Sequence, residues 1–375
     1  MKIVVGMSGG VDSAVSALLL AREGHEVVGV FMKNWEEQGQ DGVCAATKEY
    51  EDVQATCDAI GIPYYTVNFS REYYDRVFSY FLSEYEKGRT PNPDVLCNRE
   101  IKFQSFLDFS KSLGAGRVAT GHFANLSKEA DGFHLMRGID AAKDQSYFLY
   151  MLTQKPLSMA MFPVGRLTKS EVRDIAERAR LPVAQKKDST GICFIGERKF
   201  RTFLQGFLPT QPGEIILSDG TAVGRHEGLM YYTLGQRKGL GIGGRKDGEG
   251  RFFVVAKDLP NNRLIVERGK DSPLLYSTEC AADNATWVLG RPPSDSFDCT
   301  AKYRYRQPDQ RVHVEVCGSD LFITAMEPQR AVTPGQSVVL YRGEDCLGGA
   351  VVDSVQRKER NDRHNVWKGT CQKHL

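Results

Sequence analysis

The feature that most constrains the fold is a glycine-rich turn near the start of the chain. The apolar run Lys2–Met7 predicts a strand, and Ser8-Gly9-Gly10 follows it directly. Apolar residues in Val11–Leu20 then recur at helical spacing, and Glu26–Met32 predicts a second strand. Strand, helix and strand in this order form a βαβ unit, which builds parallel sheets. The opening therefore predicts an α/β fold.

The rest of the chain predicts further alternation and then a change to short strands. Helical periodicity occurs in Tyr50–Ile60 and Tyr73–Tyr85, and strands are predicted at Tyr64–Phe69 and Arg117–Gly121. Alternation of this kind is typical of a doubly wound parallel sheet, whose ligands lie beyond the carboxyl ends of the strands. After Phe200, short strands separated by Gly, Pro and Asn turns predominate.

Turn signals in this second part predict hairpins and a small barrel. Asp219-Gly220 follows the strand Glu214–Leu217, and Asn261-Asn262 separates Phe252–Ala256 from Arg263–Glu267. A last block of alternating strands starts at Cys299 and resembles a β-barrel. We predict four regions, namely a parallel-sheet domain (1–207), a small central domain (208–278), a C-terminal β-barrel (279–355) and a basic tail (356–375).

Length and charge exclude several classes of protein. A chain of 375 residues exceeds what one hydrophobic core usually holds, which predicts two or three domains. The net charge of +2 is far from the strongly basic balance of a general nucleic-acid binder, so a polyanion site must be a local patch. The tail from Ser354 carries such a patch, and a solvated, frayed end is the alternative. Apolar runs stay well short of the roughly 18 residues that span a bilayer, which predicts a cytoplasmic protein without a membrane partner.

The first turn has the composition of a phosphate-binding loop. In Gly6-Met7-Ser8-Gly9-Gly10-Val11-Asp12-Ser13, three glycines let the backbone turn tightly and point N–H groups at an anion. The loop lacks the closing Lys-Ser/Thr pair of a Walker A motif and the spacing of dinucleotide folds. A plain strand-to-helix turn, which is the alternative, needs one glycine and not the additional Ser8, Asp12 and Ser13.

Two of the nine cysteines lie in polar, turn-rich segments. Cys97 follows the double-proline turn Pro91-Asn92-Pro93, and a helix that starts near Asn98 would favour its thiolate. Cys193 lies in Asp188-Ser189-Thr190-Gly191-Ile192-Cys193, with Lys186, Lys187 and Arg198 nearby to stabilise a thiolate. Taken singly, a cysteine is more often a small buried hydrophobe, and the polar, turn-rich surroundings of both residues argue against that alternative. The odd count and the lack of a C-x-x-C pair exclude a disulfide framework or a zinc ribbon.

These motifs together resemble a known family of enzymes. Ser-Gly-Gly-Val-Asp-Ser at residues 8–13 resembles the loop of the N-type ATP pyrophosphatases, which split ATP into AMP and pyrophosphate. With the Pro-Asn-Pro-Asp-x-x-Cys-Asn segment at 91–98 and the Asp-Ser-Thr-Gly-Ile-Cys segment at 188–193, the chain resembles the bacterial-type tRNA-specific 2-thiouridylases. The resemblance extends from Lys2 to about Val352 and implies an ATP pyrophosphatase domain, a central domain and a barrel.

The resemblance implies a reaction and roles for several residues. The C2 oxygen of the wobble uridine of tRNA is replaced by sulfur, which makes the chain a tRNA-uridine 2-sulfurtransferase that uses ATP and Mg²⁺. Cys193 would carry a persulfide, and Cys97 would attack its inner sulfur and leave a disulfide between the two thiols. Asp12 would assist at the reacting centre or, alternatively, cap a helix. Met32 and Gly121 would line the adenine pocket, or serve as core filler and strand-end turn.

The same resemblance implies contacts with tRNA. Asn92, Pro93 and Asp94 resemble the segment that meets the target base, which must be swung out of the anticodon loop. A second set of residues resembles further tRNA contacts, although His122 is also well explained as a structural histidine. This set comprises His122, Lys143, Asp144, Gln145 and Gln336.

Residues 302–306 of the predicted barrel alternate cations with aromatic residues. A strand through this segment would present Arg304 and Arg306 on one face, where they suit a phosphate backbone, with Tyr305 between them in the chain and on the other face. A solvated strand face is the alternative.

Two rival functions remain open at the level of sequence. One is another adenylating enzyme of the same loop family that acts on a small metabolite, and the other is a non-catalytic RNA-binding protein that keeps a nucleotide loop. The presence of Asp12, Cys97 and Cys193 argues against the second. A thiolating enzyme also needs a partner, which is a sulfur-donor or relay protein of a cysteine desulfurase pathway.

Overall fold

A computed structural model describes residues 1–35, 45–188, 200–242 and 250–356, without the side chains of residues 45 and 46. Its first sheet is parallel throughout, with the strand order β3-β2-β1-β4-β7. The strands are β1 (Lys2–Met7), β2 (Glu26–Lys33), β3 (Tyr64–Asn68), β4 (Arg117–Ala119) and β7 (Ala160–Met161). The order reverses at β1, which confirms the predicted doubly wound α/β fold.

Helices cover both faces of this sheet. The α-helical segments are α1 (Val11–Arg22), α2 (Ala45–Ile60), α3 (Ser70–Tyr73), α4 (Ser79–Glu86), α5 (Pro93–Leu96), α6 (Phe106–Ser112), α7 (Gln154–Met159), α8 (Lys169–Arg178) and α9 (Phe200–Gln205). The chain is π-helical between α3 and α4 (Tyr74–Phe78) and between α5 and α6 (Cys97–Ser105).

Alternate side chains of β1 show why both faces need cover. Ile3 and Val5 pack with Leu20 of α1 on one face, whereas Val4 packs with Phe106 of α6 on the other. A strand buried on both faces must be apolar throughout, as β1 is from its second residue onward.

The central domain is a four-stranded sheet with the order β10-β11-β8-β9. Its strands are β8 (Gly213–Ile216), β9 (Ala222–His226), β10 (Phe252–Asp258) and β11 (Arg263–Arg268). The two predicted hairpins are confirmed, because β8 pairs antiparallel with β9 and β10 pairs antiparallel with β11.

The C-terminal domain is a closed barrel of six strands. They are β12 (Tyr276–Trp287), β13 (Ser296–Lys302), β14 (Gln310–Cys317), β15 (Asp320–Arg330), β16 (Ser337–Arg342) and β17 (Asp345–Gln356). Closure comes from pairing between β12 and β17, which gives the order β12-β15-β14-β13-β16-β17 around the barrel. The predicted barrel is confirmed.

A hairpin from the first domain extends the sheet of the barrel, and the sequence did not indicate it. The hairpin consists of β5 (Ala124–Glu129) and β6 (Gly132–Arg137), and β6 pairs with β17. The ring of His134 reinforces this junction, because one nitrogen lies 2.9 Å from Asp131 and the other 2.9 Å from Asp345 of β17. The first domain and the barrel are therefore joined by backbone pairing.

Two local predictions are wrong. The strand expected to run through Arg306 ends at Lys302, and the next residues form a turn. The helix expected to start near Asn98 starts at Pro93, with Asn92 as its N-cap. The predicted domain boundaries stay predictions, and the basic tail lies outside the described residues apart from Gln356.

Candidate active site

The predicted phosphate loop connects β1 to α1 at the carboxyl edge of the sheet. Gly9 has a φ of +71°, and a Cβ atom added there would lie 2.8 Å from the carbonyl oxygen of Glu49. The hydroxyl of Ser13 donates to the Gly10 carbonyl at 3.0 Å and accepts from the Ser8 N–H at 3.2 Å. The left-handed backbone and the close neighbour both require glycine at position 9. The hydrogen bonds of Ser13 hold this turn at the start of α1.

The residues predicted to line the adenine pocket lie beside this loop. A Cβ atom on Gly121 would lie 2.6 Å from the Ser13 nitrogen and 3.0 Å from the Asp12 Cβ. A Cβ atom on Gly6 would lie 3.1 Å from the terminal methyl group of Met32. The fold thus brings two distant segments, at Met32 and at Gly121, to the loop, while their contacts with a nucleotide stay a prediction.

A chain of ion pairs leads away from the loop. The ammonium of Lys169, at the first residue of α8, lies 2.6 Å from Asp12 and 2.8 Å from Asp188. Asp188 also pairs with Lys143 at 2.6 Å and with Arg173 at 2.8 Å. This cluster of five side chains connects the loop to the segment predicted to contact tRNA.

The pKa values of the two carboxylates in the cluster are shifted in opposite directions. Burial raises the pKa of Asp12, and the hydrogen bond from Lys169 opposes that shift only in part. Burial also opposes ionisation of Asp188, but Lys143 and Lys169 outweigh it and lower its pKa to about 2. Asp188 is therefore a firmly ionised anchor, whereas the charge of Asp12 is stabilised mainly by Lys169.

Sequence reasoning missed Lys169 and Arg173. Packing of α8 on α1, through Val172 and Ala176 against Val15, brings Lys169 to Asp12. The one local signal was the capping box that starts α8, in which Thr168 and Glu171 cap each other's backbone. This capping box predicts where α8 begins, but it does not predict which residue Lys169 contacts.

Lys186, which the sequence analysis placed near Cys193, contacts the phosphate loop. Its ammonium donates to the Gly9 carbonyl at 2.9 Å and to Asp52 at 2.6 Å. The expected role of Lys186 beside the Cys193 thiolate stays a prediction, because Cys193 and residues 189–199 lie outside the described residues. In the described structure, Lys186 supplies a cation to the loop.

The segment that carries Cys97 is built differently from the expectation. Asn92 caps α5 by accepting the N–H of Asp94 at 3.2 Å, and Pro93 is the first helical residue. Cys97 follows one turn later and is only 5% exposed. The thiol therefore does not lie at a helix start, and it is buried. Burial raises the pKa of Asp94, which Lys102 partly opposes.

Four other cysteines have thiols whose pKa is raised. Burial raises the pKa of the thiols of Cys57, Cys280 and Cys299 to about 12, and it raises the pKa of Cys346 as well. Since the thiolate is the reactive form, these four thiols are unsuited to sulfur transfer near neutral pH.

Several residues predicted to contact tRNA make internal hydrogen bonds. His122 lies 2.7 Å from the Thr120 hydroxyl, and burial holds its pKa well below the ordinary value. Gln145 accepts the Phe123 N–H at 2.9 Å. Asp144, which is 4% exposed, accepts the N–H groups of Gly138 and Ser146 at 3.1 Å each. These side chains organise the loop around Lys143, and their tRNA contacts stay predictions.

The two predicted barrel arginines are both exposed but differ in their partners. Arg304 donates to the carbonyls of Leu234 and Ala331 at 3.0 Å each, and thus ties the central domain to the barrel. Arg306 is exposed, with its guanidinium 5.9 Å from the Tyr305 ring. The turn that replaces the predicted strand therefore separates the two arginines.

The barrel also holds the segment that precedes Cys97. Gln336 donates to the Thr90 carbonyl at 2.7 Å, and the Thr90 N–H donates to the Pro334 carbonyl at 3.0 Å. The hydroxyl of Tyr147 donates to the Ser337 carbonyl at 2.9 Å from the neighbouring loop. Residues 334–337 of the barrel thereby hold the segment that leads into α5 in place.

Helices of sufficient length and apolar character to span a bilayer do not occur in the described ranges.

Three family models match successive parts of the chain. They are described as "tRNA methyl transferase HUP domain" for residues 1–197, "tRNA methyl transferase PRC-barrel domain" for 201–268 and "Aminomethyltransferase beta-barrel domain" for 277–352. Among solved structures, a 4-thiouridine synthetase in complex with RNA and ATP is similar to 55% of this chain and 49% of that chain, with 16% identity and a TM-score of 0.35. A similarity at that level carries no functional conclusion.

Curated relatives are similar over nearly the whole length. The tRNA-specific 2-thiouridylase MnmA of Streptococcus mutans is 55% identical over 361 residues, which is 96% of this chain and 97% of that protein. The corresponding protein of Streptococcus uberis is 56% identical over 355 residues, which is 94% of this chain and 95% of that protein. With the first family model matching more than half of the residues as well, the chain belongs to the tRNA-specific 2-thiouridylase family.

Proposed function

We propose that this protein catalyses the ATP-dependent 2-thiolation of the wobble uridine of tRNA. The observation that carries the proposal is the relationship to 2-thiouridylases across 96% of the chain. The geometry agrees with it, because a glycine-rich phosphate loop and the buried Cys97 are both built into the first domain. The product is 2-thiouridine, with AMP and pyrophosphate as by-products.

The first half of the reaction requires activation of a poor electrophile. The C2 oxygen of uridine attacks the α-phosphate of ATP, the bond to the pyrophosphate oxygen breaks, and the N3 proton of uridine is lost. The N–H groups of the loop and the start of α1 suit the phosphates of ATP. Asp12 lies at the second residue of that helix, so its carboxylate can act at the reacting centre.

The second half of the reaction transfers sulfur. The terminal sulfur of a persulfide on Cys193 bonds to C2, and AMP leaves. Cys97 attacks the inner sulfur, so the bond within the persulfide breaks and a Cys97–Cys193 disulfide forms. Two electrons from an external thiol reductant then restore both cysteines. A sulfur-donor or relay protein loads Cys193 again, and a cytoplasmic location would suit these reduced thiols.

A magnesium ion fits the residues around the loop. Mg²⁺ is usually held by one or two carboxylates together with substrate phosphates. Burial raises the pKa of Asp12, and its carboxylate lies beside the loop, so a cation there would compensate its charge. Asp12 would hold the ion, which neutralises charge on the phosphates when bound.

Mass analysis of tRNA nucleosides tests the proposed function. The protein is incubated with unmodified tRNA, ATP, Mg²⁺ and a persulfide donor, and we expect 2-thiouridine at the wobble position with stoichiometric AMP. Asp12→Ala should abolish AMP formation. Pyrophosphate release that depends on a small carboxylate instead of tRNA would favour the alternative, a metabolite-adenylating enzyme.

Serine variants of the two thiols test the division of labour. Cys193→Ser should lose thiouridine but still form AMP, because adenylation needs no thiol. Cys97→Ser should accept sulfur on Cys193 but fail to release it, so that peptide mapping finds no disulfide. Cys299→Ser is the matched control and should behave as wild type. Thiouridine formed at the normal rate by either active-site variant would remove that cysteine from the mechanism.

A further inference from the structure

The position of Lys169 has no explanation in the roles assigned so far. Its side chain is only 12% exposed, and its ammonium lies between two carboxylates, 2.6 Å from Asp12 and 2.8 Å from Asp188. The residue follows the N-cap Thr168, and its backbone N–H donates to Asp140 at 2.9 Å. The stem of the lysine is thus fixed while its charged end reaches the phosphate loop.

Neutralisation of Asp188 alone does not require this lysine. Lys143 and Arg173 already pair with the Asp188 carboxylate at 2.6 and 2.8 Å. A third cation on the same carboxylate leaves positive charge in excess, and that charge is directed towards Asp12 and the loop. Asp188 is accordingly better explained as the anchor that holds Lys169 in place.

The hydrogen-bonding capacity of Lys169 also points to a further ligand. An ammonium group has three N–H donors. Acceptors for two of them are found in the described part of the chain, on Asp12 and Asp188. A phosphate oxygen in the loop would accept the third, and it would also compensate the charge that Asp188 leaves in excess.

Lys186 gives the loop a second cation. Its ammonium lies 2.9 Å from the Gly9 carbonyl and 2.6 Å from Asp52. Lys169 and Lys186 therefore contact opposite ends of the turn, one at Asp12 and the other at Gly9. Two cations on either side of a turn with N–H donors form a site for a polyphosphate and not for an uncharged nucleoside.

We propose that Lys169 is a phosphate-binding residue for ATP and that Asp188 is the positioning residue that holds it at the loop. This inference rests on the proposed function and adds a residue to its nucleotide site. It predicts that Lys169 contributes to the binding of ATP and of free pyrophosphate but not to the binding of adenosine.

Binding measurements on the full chain test the inference. Calorimetric titrations with ATP, pyrophosphate and adenosine compare wild type with Lys169→Met and Lys169→Arg. We expect Lys169→Met to weaken the binding of ATP and of pyrophosphate at least about tenfold and to leave the affinity for adenosine within about twofold of wild type. Lys169→Arg should restore most of the lost affinity. Lys111→Met is the matched control, because that lysine pairs with Asp108 at 3.3 Å on the surface of α6.

The role of Asp188 as the anchor is tested separately, with an exposed carboxylate of α8 as the control. Asp188→Asn should weaken ATP binding about threefold without affecting adenosine, whereas Asp174→Asn, at an exposed position of α8, should change neither.

Two results would overturn the inference. One is ATP and pyrophosphate binding at wild-type affinity by Lys169→Met. The other is a parallel loss of adenosine binding in Lys169→Met and Lys169→Arg, which would give the lysine a purely structural role. The wild-type thiolation assay separates this failure from failure of the proposed function, since thiouridine formation tests the function and the affinity ratios test Lys169.

Discussion

Replacing Gly9 by alanine should separate two reasons for glycine in the phosphate loop. Gly9 has a φ of +71°, and its added Cβ would lie 2.8 Å from the carbonyl oxygen of Glu49 in α2. Gly24, which follows α1, has a φ of +80° with no atom within 4 Å of an added Cβ. Gly24→Ala therefore measures backbone strain alone, and Gly9→Ala measures the same strain together with a close contact.

The expected magnitudes follow from these two geometries. A left-handed backbone costs a non-glycine residue about 1–2 kcal/mol, which is the expected destabilisation by Gly24→Ala. At Gly9 the contact is with backbone atoms, which cannot rotate away, so the loop or α2 must move by a few tenths of an ångström. Overpacking of this kind adds about 1–3 kcal/mol. The same movement displaces the N–H groups of the loop, and ATP affinity should fall at least about tenfold, or about 1.4 kcal/mol.

Urea unfolding and calorimetric ATP titration measure the two effects on the same protein samples. We expect Gly24→Ala to lower the free energy of unfolding while leaving ATP affinity unchanged, and Gly9→Ala to lower both. Equal destabilisation by the two variants, together with wild-type ATP affinity for Gly9→Ala, would refute the close contact and the role of the loop in phosphate binding.

Three further predictions concern the junctions between domains. Arg304→Ala should lower the free energy of unfolding by about 1–3 kcal/mol, because its backbone acceptors lose a charged donor. Arg306→Ala should leave stability unchanged and reduce the log–log salt slope of tRNA binding by about one. Equal effects of the two variants on stability would contradict the structural role of Arg304. Gln336→Ala should cost about 0.5–1.5 kcal/mol in urea unfolding without tRNA, because its hydrogen bond to Thr90 is lost; an effect on tRNA affinity alone would contradict a structural role. Burial lowers the pKa of His134, but its two aspartate partners raise it, and the net result is an increase from 6.5. The stabilisation that His134 provides should therefore be complete below pH 6.5 and disappear as the pH rises through the folded pKa. A difference in the free energy of unfolding between wild type and His134→Gln that is constant from about pH 6 to about pH 9 would contradict this.

The fold class followed from local patterns because secondary structure leaves a short-range record. Helical spacing after Gly10 and the apolar run of β1 predicted the βαβ unit, and turn residues such as Asp219-Gly220 predicted the hairpins. The wrong predictions arose where several local conformations suit the same residues. Alternating residues 302–306 are compatible with a strand, but the chain turns after Lys302 so that Arg304 can reach carbonyls in two domains.

The sequence by itself predicted the phosphate loop, since three glycines in one turn have few other uses, and it singled out Cys97 and Cys193 by their polar surroundings. The tertiary structure alone decided which charged residues meet at the loop. Lys169 lies 157 positions from Asp12 in the chain, and packing of α8 on α1 brings the two side chains together. Barrel closure by β12 and β17, and the addition of the β5–β6 hairpin, also join distant segments. Periodicity records which face of an element is apolar, but a long-range ion pair or strand pairing depends on how whole elements pack, and no local pattern carries that information.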